Sequence, residues 1–394
     1  MYYDNAATAA IDEGLNIGGY YYSSPRNPSS QHSYGKEAKA DLEKARSAIA
    51  KSINAKKEEI IFTSGGTEAD NLAIKGFAFA HDNCKILTIP IEHKAVLKSC
   101  EFLKERNIAD YEFVEIDGDG VVVLEDLRKK CEEAKGKSLL VSIQFANNEI
   151  GTIQPIREIG KIVHEFGGTF HVDAVQAYGV ININVKFMEI DIMSVSGHKF
   201  HAPNGVGFLY KRKNVDICPL ISGGSQEFGL RAGTENLPCI LAMAEEVNRN
   251  DYFSSMRCEQ RAKKIEKVRD EIETELLTIP NTIINGSVKN RLPGNINVSF
   301  KDINGEVLMM LLDYRDIQVS NGSACNSNDK DQSYVLRAIH VPEDYISGTI
   351  RLTLTWCDDI DRYESAINPT RTKYMMDAHE IVKNVEQLRR YLNK

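Results

Sequence analysis

The sequence predicts an α/β protein: a large, mostly parallel sheet domain followed by a smaller α+β domain. Three observations predict it. Short β-rich runs alternate with amphipathic stretches in the first half of the chain, the pattern of a parallel sheet covered by helices. The character changes near Leu241, where a long charged helical pattern leads through Arg257 to Leu276. Beyond it, strand-like and helical runs follow in mixed order. In the first region the candidate strands are 59–63, 85–90, 139–145, 169–172, 190–195 and 206–210, with amphipathic stretches at 68–79, 94–105 and 156–166. In the second, 295–300 and 349–355 read as strands, and 305–313 and 374–392 as helices. The division expected is a large domain over 16–245 and a small one built from 1–15 and 246–394, with the N-terminus packed against the latter.

The chain has 394 residues, 42% hydrophobic and 26% charged, enough for two domains that each bury a core. A net charge of −8 argues against a phosphate-tracking nucleic-acid binder. No run is apolar and long enough to cross a bilayer, and no basic segment followed by an apolar run opens the chain, so a cytoplasmic protein is expected. The eight cysteines form no Cys-x-x-Cys pair and no zinc-like cluster, so no metal site is expected. In a reducing compartment most of them should be small buried hydrophobes.

Chemistry gathers at the strand ends, where ligands of such sheets bind. Ser64-Gly65-Gly66-Thr67-Glu68 follows one strand and opens a helix. Gly65 and Gly66 let the backbone approach a ligand, the helix start offers N–H groups to an anion, and Thr67 adds a hydroxyl. Taken alone, this also reads as a capped turn. Asp173 ends another strand, with Gln176 three residues on. A carboxylate there can keep a ring nitrogen protonated, although an isolated Asp at a strand end is more often a helix cap. Ser196-Gly197-His198-Lys199 follows an apolar run. A desolvated lysine becomes a nucleophile toward an aldehyde, and Ser196 and His198 can reach a phosphate. Together the three elements make the set a pyridoxal 5'-phosphate site needs.

In order and wording these motifs resemble the pyridoxal-phosphate-dependent cysteine desulfurases of the NifS/IscS type, within the class V aminotransferase family and the transferase fold type I. The likeness runs from about Tyr3 to about Leu354. It is carried by Asp4-Asn5-Ala6-Ala7-Thr8, Asn27-Pro28-Ser29-Ser30-Gln31-His32, the 63–71 segment and Asn147-Asn148-Glu149-Ile150-Gly151. It continues in His171-Val172-Asp173-Ala174, the Lys199 motif, Arg231-Ala232-Gly233-Thr234-Glu235-Asn236 and the run from Ser320 to Cys325. The resemblance implies a homodimer that converts L-cysteine to L-alanine and passes sulfur from Cys325 to an acceptor protein, an iron–sulfur scaffold or a sulfurtransferase. It implies that Lys199 holds the cofactor as a Schiff base, and that Thr67, Ser196 and His198 bind its phosphate with Thr234 of a second subunit. Asp173 would pair with the ring nitrogen, Gln176 and Asn148 would contact the phenolic oxygen, and His93 would stack on the ring and move protons. On spacing alone, His93 reads equally as the cap of the helix that follows it. Arg351 would clamp the substrate carboxylate, with Asn27 assisting.

Cys325 lies in a small polar run, 320–329, without apolar periodicity, which reads as a mobile loop where a thiol can ionise. Two features depart from the family. Phe228 stands where the family usually has arginine, and after Asp361 the chain carries a segment, 362–380, where a direct run into the final helix is expected. The rival readings are a selenocysteine lyase or another fold-type-I enzyme, and a non-catalytic sulfur-carrier platform. The intact Lys199, Asp173, His93 and Arg351 oppose the last.

Overall fold

The structure is a computed structural model that describes residues 1–22, 26–249, 255–321, 333–354 and 369–392. Seven strands form the main sheet: β1 (Ile60–Thr63), β2 (Cys84–Thr88), β3 (Ala109–Phe113), β4 (Ser138–Ser142), β5 (Thr169–Asp173), β6 (Ile192–Ser196) and β7 (Gly207–Lys211). Their order is β1-β7-β6-β5-β4-β2-β3. Only the pairings of β7 with β1 and β6 are antiparallel; the rest are parallel, so the sheet is mostly parallel as the sequence predicts.

The helices are α1 (Ile17–Tyr22), α2 (Ser33–Ser52), α3 (Gly66–Ala80), α4 (Lys94–Glu105), α5 (Leu124–Glu133), α6 (Ile156–Glu165) and α7 (Leu237–Arg249), then α8 (Ser255–Leu276), α9 (Gly305–Asp313), α10 (Tyr334–Ala338), α11 (Glu343–Ile346) and α12 (Pro369–Leu392). Because side chains alternate across a strand, each central strand feeds two cores. Leu87, Val141, Val172, Val195 and Phe208 face one, shared with α2, α6 and α7. Ile61, Ile86, Leu140, Ile192 and Leu209 face the other, under α3 and α4. This period places His171 and Asp173 of β5, and Ser194 and Ser196 of β6, on the α3 side. In-register pairing sets Asp173 beside Ser194.

A second, antiparallel sheet has the order β10-β9-β8: β8 (Thr282–Ile284), β9 (Asn295–Phe300) and β10 (Thr349–Thr353). Its core joins Val298, Phe300 and Ile350 to Val268 and Ile272 of α8, to Ile381 and Val385 of α12, and to Tyr3. The N-terminus is threaded into this body: Tyr3 donates its N–H to Gln318 O at 2.8 Å and accepts from Thr353 N at 2.6 Å. From there residues 6–9 cross to the lysine turn, where Ala9 N–H donates to His198 O at 2.9 Å.

The sequence pattern passes over β3, a short edge strand with two acidic residues among five and half-exposed positions, which carries no apolar run. It also passes over α2, α5 and α7, and it starts the last helix at 374, where α12 opens at Pro369. Proline suits that first turn, since its missing N–H would have no helical partner. Residues 355–368, which include Cys357 and the first part of the divergent segment, lie outside the described residues, and the rest of that segment, 369–380, is the start of α12. No described helix is long and apolar enough to cross a membrane.

Candidate active site

A cavity of about 410 Å³ opens between the carboxyl ends of β5 and β6, the start of α3 and the second sheet. Ten of the residues singled out in the sequence line it: Gly66, Thr67, His93, Asn148, Asp173, Gln176, Ser196, His198, Lys199 and Arg351. The cradle at one end depends on glycine. A Cβ on Gly66 would lie 2.6 Å from Val175 Cγ2, so any side chain there would push against the turn that carries Asp173. The helix it opens is 15 residues long, its first N–H groups have no partner within the helix, and Ser196 stands beside the Gly65–Gly66 turn, 3.5 Å from where a Cβ on either would lie. The turn is braced behind by Glu68, which accepts from Ser64 N at 2.8 Å and pairs with Arg231 at 2.9 Å.

Lys199 sits at the end of a single 3₁₀ turn after β6. Its Nζ donates to Ala6 O at 2.5 Å and Ala7 O at 2.7 Å, so the N-terminal crossing holds the amine in place. Gln176 Nε2 donates to the same Ala6 O at 3.1 Å. His198 touches Thr8 Oγ1 at 3.1 Å, and burial together with the Lys199 charge pushes its imidazole down to about 4. A neutral ring there offers one donor to an anion without a charge of its own. Asp173 accepts from Val175 N–H at 2.9 Å. Burial raises its pKa, and the His93 ring, the Val175 N–H and Lys199 oppose that rise.

The cap reading of His93 is seen directly, and its ring also reaches the cavity. Its Nδ1 accepts from Ala95 N–H at 3.1 Å, capping α4, while the ring lines the cavity. An accepting Nδ1 leaves the proton of the neutral ring on Nε2. The Asn147–Gly151 motif is likewise a built turn. Asn147 Oδ1 accepts from Glu149 N and Ile150 N, and its Nδ2 donates to Ile91 O. Gly151 has φ +72°, and a Cβ there would sit 2.5 Å from Asn295 Oδ1. This turn presents the Asn148 carbonyl to Arg351 Nη1 at 3.0 Å.

Arg351, on β10 and 1% exposed, faces the cavity from the second sheet. Its charge is met by Asp4, with Nη2 to Oδ1 at 2.5 Å, while Nε has no partner among the described residues. A buried guanidinium with an unsatisfied N–H is a receptor for one more carboxylate.

Sequence reasoning gave no role to Asp4, which orients Arg351, nor to the buried acids Asp70 and Glu149 in the wall. Glu149 accepts from Ser333 Oγ at 2.5 Å, and burial pushes its carboxyl up to about 7 against the pull of that hydroxyl, Arg351 and Lys94. The available signal for Asp70 was an acid inside the apolar stretch of α3, one turn after Thr67. Two expected residues are not in the lining. Asn27 is exposed, its Oδ1 closing a local turn on Ser29 N at 2.9 Å. Thr234, expected from a second subunit, is exposed in its own chain. Cys325 lies outside the described residues.

Phe228, the departure from the family, has its ring 5.1 Å from the Arg46 guanidinium. Arg46 also grips Glu227 through two bonds, at 2.6 and 2.8 Å, and so fixes a turn in which Glu227, Phe228 and Gly229 all have positive φ. The Arg231–Glu68 pair beside it is intact.

An amine at a strand end, a buried carboxylate facing it and an anion cradle define a pyridoxal-phosphate enzyme of fold type I. Residues 1–358 match the aminotransferase class-V family, and the chain belongs to that family. It is 44% identical over 331 residues to the cysteine desulfurase IscS of Dictyoglomus turgidum, covering 83% of this chain and 82% of that one. To the cysteine desulfurase IscS of Methanosarcina thermophila it is 43% identical over 369 residues, 92% and 89% of the two chains. A solved NifS-like protein superposes with a TM-score of 0.85 at 35% identity over 99% of both chains. The family's cofactor is pyridoxal phosphate, and the cavity fits it on three counts: the glycine-dependent cradle, the buried Asp173 and the amine held by two carbonyls.

Proposed function

We propose that this chain is a cysteine desulfurase that takes sulfur from L-cysteine onto Cys325 and leaves L-alanine. The observation that carries it is the meeting, in one cavity, of Lys199, Asp173 and a buried Arg351 whose Nε–H has no partner among the described residues. In this reading Thr67, Ser196, His198 and the Gly66 turn hold the cofactor phosphate, Asp173 faces the ring nitrogen, and Gln176 and Asn148 lie by the ring's oxygen. His93 lies over the ring face, and Lys199 is the covalent anchor. When bound, pyridoxal phosphate supplies a cationic, electron-withdrawing ring next to the substrate's α-carbon.

The chain's own residues do the rest. Arg351 binds the substrate carboxylate through Nε and its remaining Nη hydrogens, and Asp4 and the Asn148 carbonyl keep its plane fixed. Lys199 Nζ takes the α-proton, and His93 is placed to return protons through Nε2. The Cys325 thiolate attacks the sulfur of the substrate: an S–S bond forms, the Cβ–S bond breaks, and its electron pair stays with the carbon skeleton, which takes up protons to become alanine. Sulfur then leaves Cys325 for an acceptor protein, an iron–sulfur scaffold or a sulfurtransferase. A homodimer completes the site in this reading, because Thr234 is exposed and outside the cavity of its own chain.

The deciding assay measures alanine and sulfide from L-cysteine, with and without added pyridoxal phosphate and a thiol reductant. Equal amounts of both products, dependent on the cofactor, are expected; a keto acid in place of alanine would sink the reading. Arg351→Lys should raise KM for cysteine about tenfold or more with a smaller fall in kcat, because an ammonium cannot keep the contacts to Asp4, Asn148 and substrate together. An unchanged KM would remove Arg351 from carboxylate recognition.

A further inference from the structure

The first turns of α12 belong to the segment in which the chain departs from its family, and a buried acid there reaches the N-terminal strand. Asp377 is 2% exposed, on the face of α12 that also carries the buried Tyr374 and Ile381. Its Oδ2 accepts from the Tyr3 hydroxyl at 3.0 Å, and its Oδ1 accepts from Lys373 Nζ, one turn earlier. The Met1 amine lies 3.7 Å from Oδ2. A carboxylate in an apolar core is costly unless it is paired and hydrogen-bonded, and these donors supply both. Burial, and then the charge of Asp377, push the Tyr3 phenol up, so Tyr3 keeps its hydrogen and donates it.

The strand that Tyr3 belongs to leads straight to the active site. Its main chain lies between two neighbours, with Tyr3 N–H on Gln318 O at 2.8 Å and Thr353 N–H on Tyr3 O at 2.6 Å. Side chains of such a strand alternate in direction. Tyr3 turns into the core against α12, so Asp4 turns the other way, onto Arg351 Nη2. Asn5 Nδ2 then closes on Thr353 O at 2.7 Å, and the next two carbonyls, of Ala6 and Ala7, meet Lys199 Nζ. A slip of one residue would exchange the two faces and take Asp4 from Arg351. Main-chain bonds alone fit either register, so the side chain in the core decides which is kept. The bond of Tyr3 to Asp377 fixes that side chain and the depth to which its ring enters.

We propose that Asp377 is a positioning residue for the substrate's carboxylate: by holding Tyr3 it sets the strand register that places Asp4 on Arg351. The inference rests on the reading of Arg351 as the receptor of that carboxylate. It gives the divergent segment a task in the reaction, since one helix turn is tied to the guanidinium through two consecutive strand residues. Asp4 balances the buried charge of Arg351 and, with the Asn148 carbonyl, holds its plane. A guanidinium that loses one of these partners can turn, and a planar contact to a carboxylate tolerates little turning. Cofactor binding depends less on this strand. Gly66, Thr67, Asp173, Ser196 and His198 are all carried by the main sheet and the turns that follow its strands.

The test is made on the cofactor-loaded protein with two ligands, L-cysteine as substrate and cysteamine, the same molecule without its carboxylate, as competitive inhibitor. Tyr3→Phe and Asp377→Ala should each raise KM for cysteine about threefold or more, with a smaller change in kcat. The inhibition constant of cysteamine and the affinity for pyridoxal phosphate should stay within about twofold of wild type, because neither ligand uses Arg351. Asp377→Asn keeps an acceptor for the Tyr3 hydroxyl and should restore KM to within about twofold. Adding Tyr3→Phe to Asp377→Ala should cost nothing further, since the two act through one bond. An unchanged KM in Tyr3→Phe, additive losses in the double variant, or equal weakening of cysteine and cysteamine overturns the proposal. If circular dichroism shows that Asp377→Ala does not fold, Tyr3→Phe and Asp377→Asn decide. Arg351→Lys separates the two readings. An unchanged KM in that variant overturns Arg351 as the receptor together with this inference; a raised KM there, with Tyr3→Phe at the wild-type value, overturns Asp377 alone.

Discussion

Lys199→Ala is expected to lower the turnover of cysteine by about a thousandfold or more, while the chain still folds. The size follows from two roles in one atom: Nζ is the proposed anchor of the cofactor and the proposed base at the α-carbon. A second lysine, Lys94, also lines the cavity, so the assignment has a real competitor. Geometry separates them. Lys199 follows the strand that ends at Ser196, beside Asp173, and two carbonyls of the N-terminal crossing hold its Nζ. Lys94 opens α4 next to His93, on the side of Glu149. Borohydride reduction of the yellow protein, followed by peptide mapping, should therefore place the fixed cofactor on Lys199. Label on Lys94, or turnover left intact in Lys199→Ala, would sink the assignment. Lys94→Ala is the control and should keep the label where it is.

The strands that build the site were legible because buried parallel strands are short apolar runs; the ends of β5 and β6 were read to within two residues, while the run over 139–145 overshot β4 by three. Lys199 and Asp173 were legible for the same reason, since both close such runs. What periodicity does not show is which face of the sheet a given helix covers. Asp70 looks like any acid on a helix until α3 is laid across β5 and β6, with His171 and Ser194 beneath it. Asp4 looks like the start of a loop until the N-terminus joins the second sheet and brings it to Arg351. Asn27 shows the opposite case. The resemblance gave it a substrate role, but in this chain its side chain is spent on a turn with Ser29 and lies away from the cavity. Its inclusion in the site would need a rearrangement of the 26–32 segment or a position in the cavity of a second copy.

Cys325→Ser is expected to keep the visible band of the bound cofactor and to lose alanine formation by about a hundredfold or more, since a serine hydroxyl is not ionised at neutral pH. The other cysteines sharpen this prediction. Burial pushes Cys84, Cys100 and Cys131 up to about 12 and Cys258 up to about 11, so none of these four offers a thiolate. Cys239 is buried, Cys218 is partly exposed, and neither lines the active-site cavity. Low reactivity of this kind is what apolar surroundings impose on a thiol. Cys325 has surroundings of the opposite kind: Ser320-Asn321-Gly322-Ser323-Ala324 before it and Asn326-Ser327-Asn328-Asp329 after it, small and polar throughout. Cys357 is the remaining alternative; it stands at the end of the stretch that matches the family, just before the divergent segment that follows Asp361. The two variants are therefore measured together. Cys325→Ser should hold cofactor and substrate but accumulate neither alanine nor persulfide, and Cys357→Ser should turn over normally. The reverse outcome would move the sulfur-carrying role to Cys357. Alanine formation at the normal rate in Cys325→Ser would remove that role from Cys325 and leave the cofactor site standing without it.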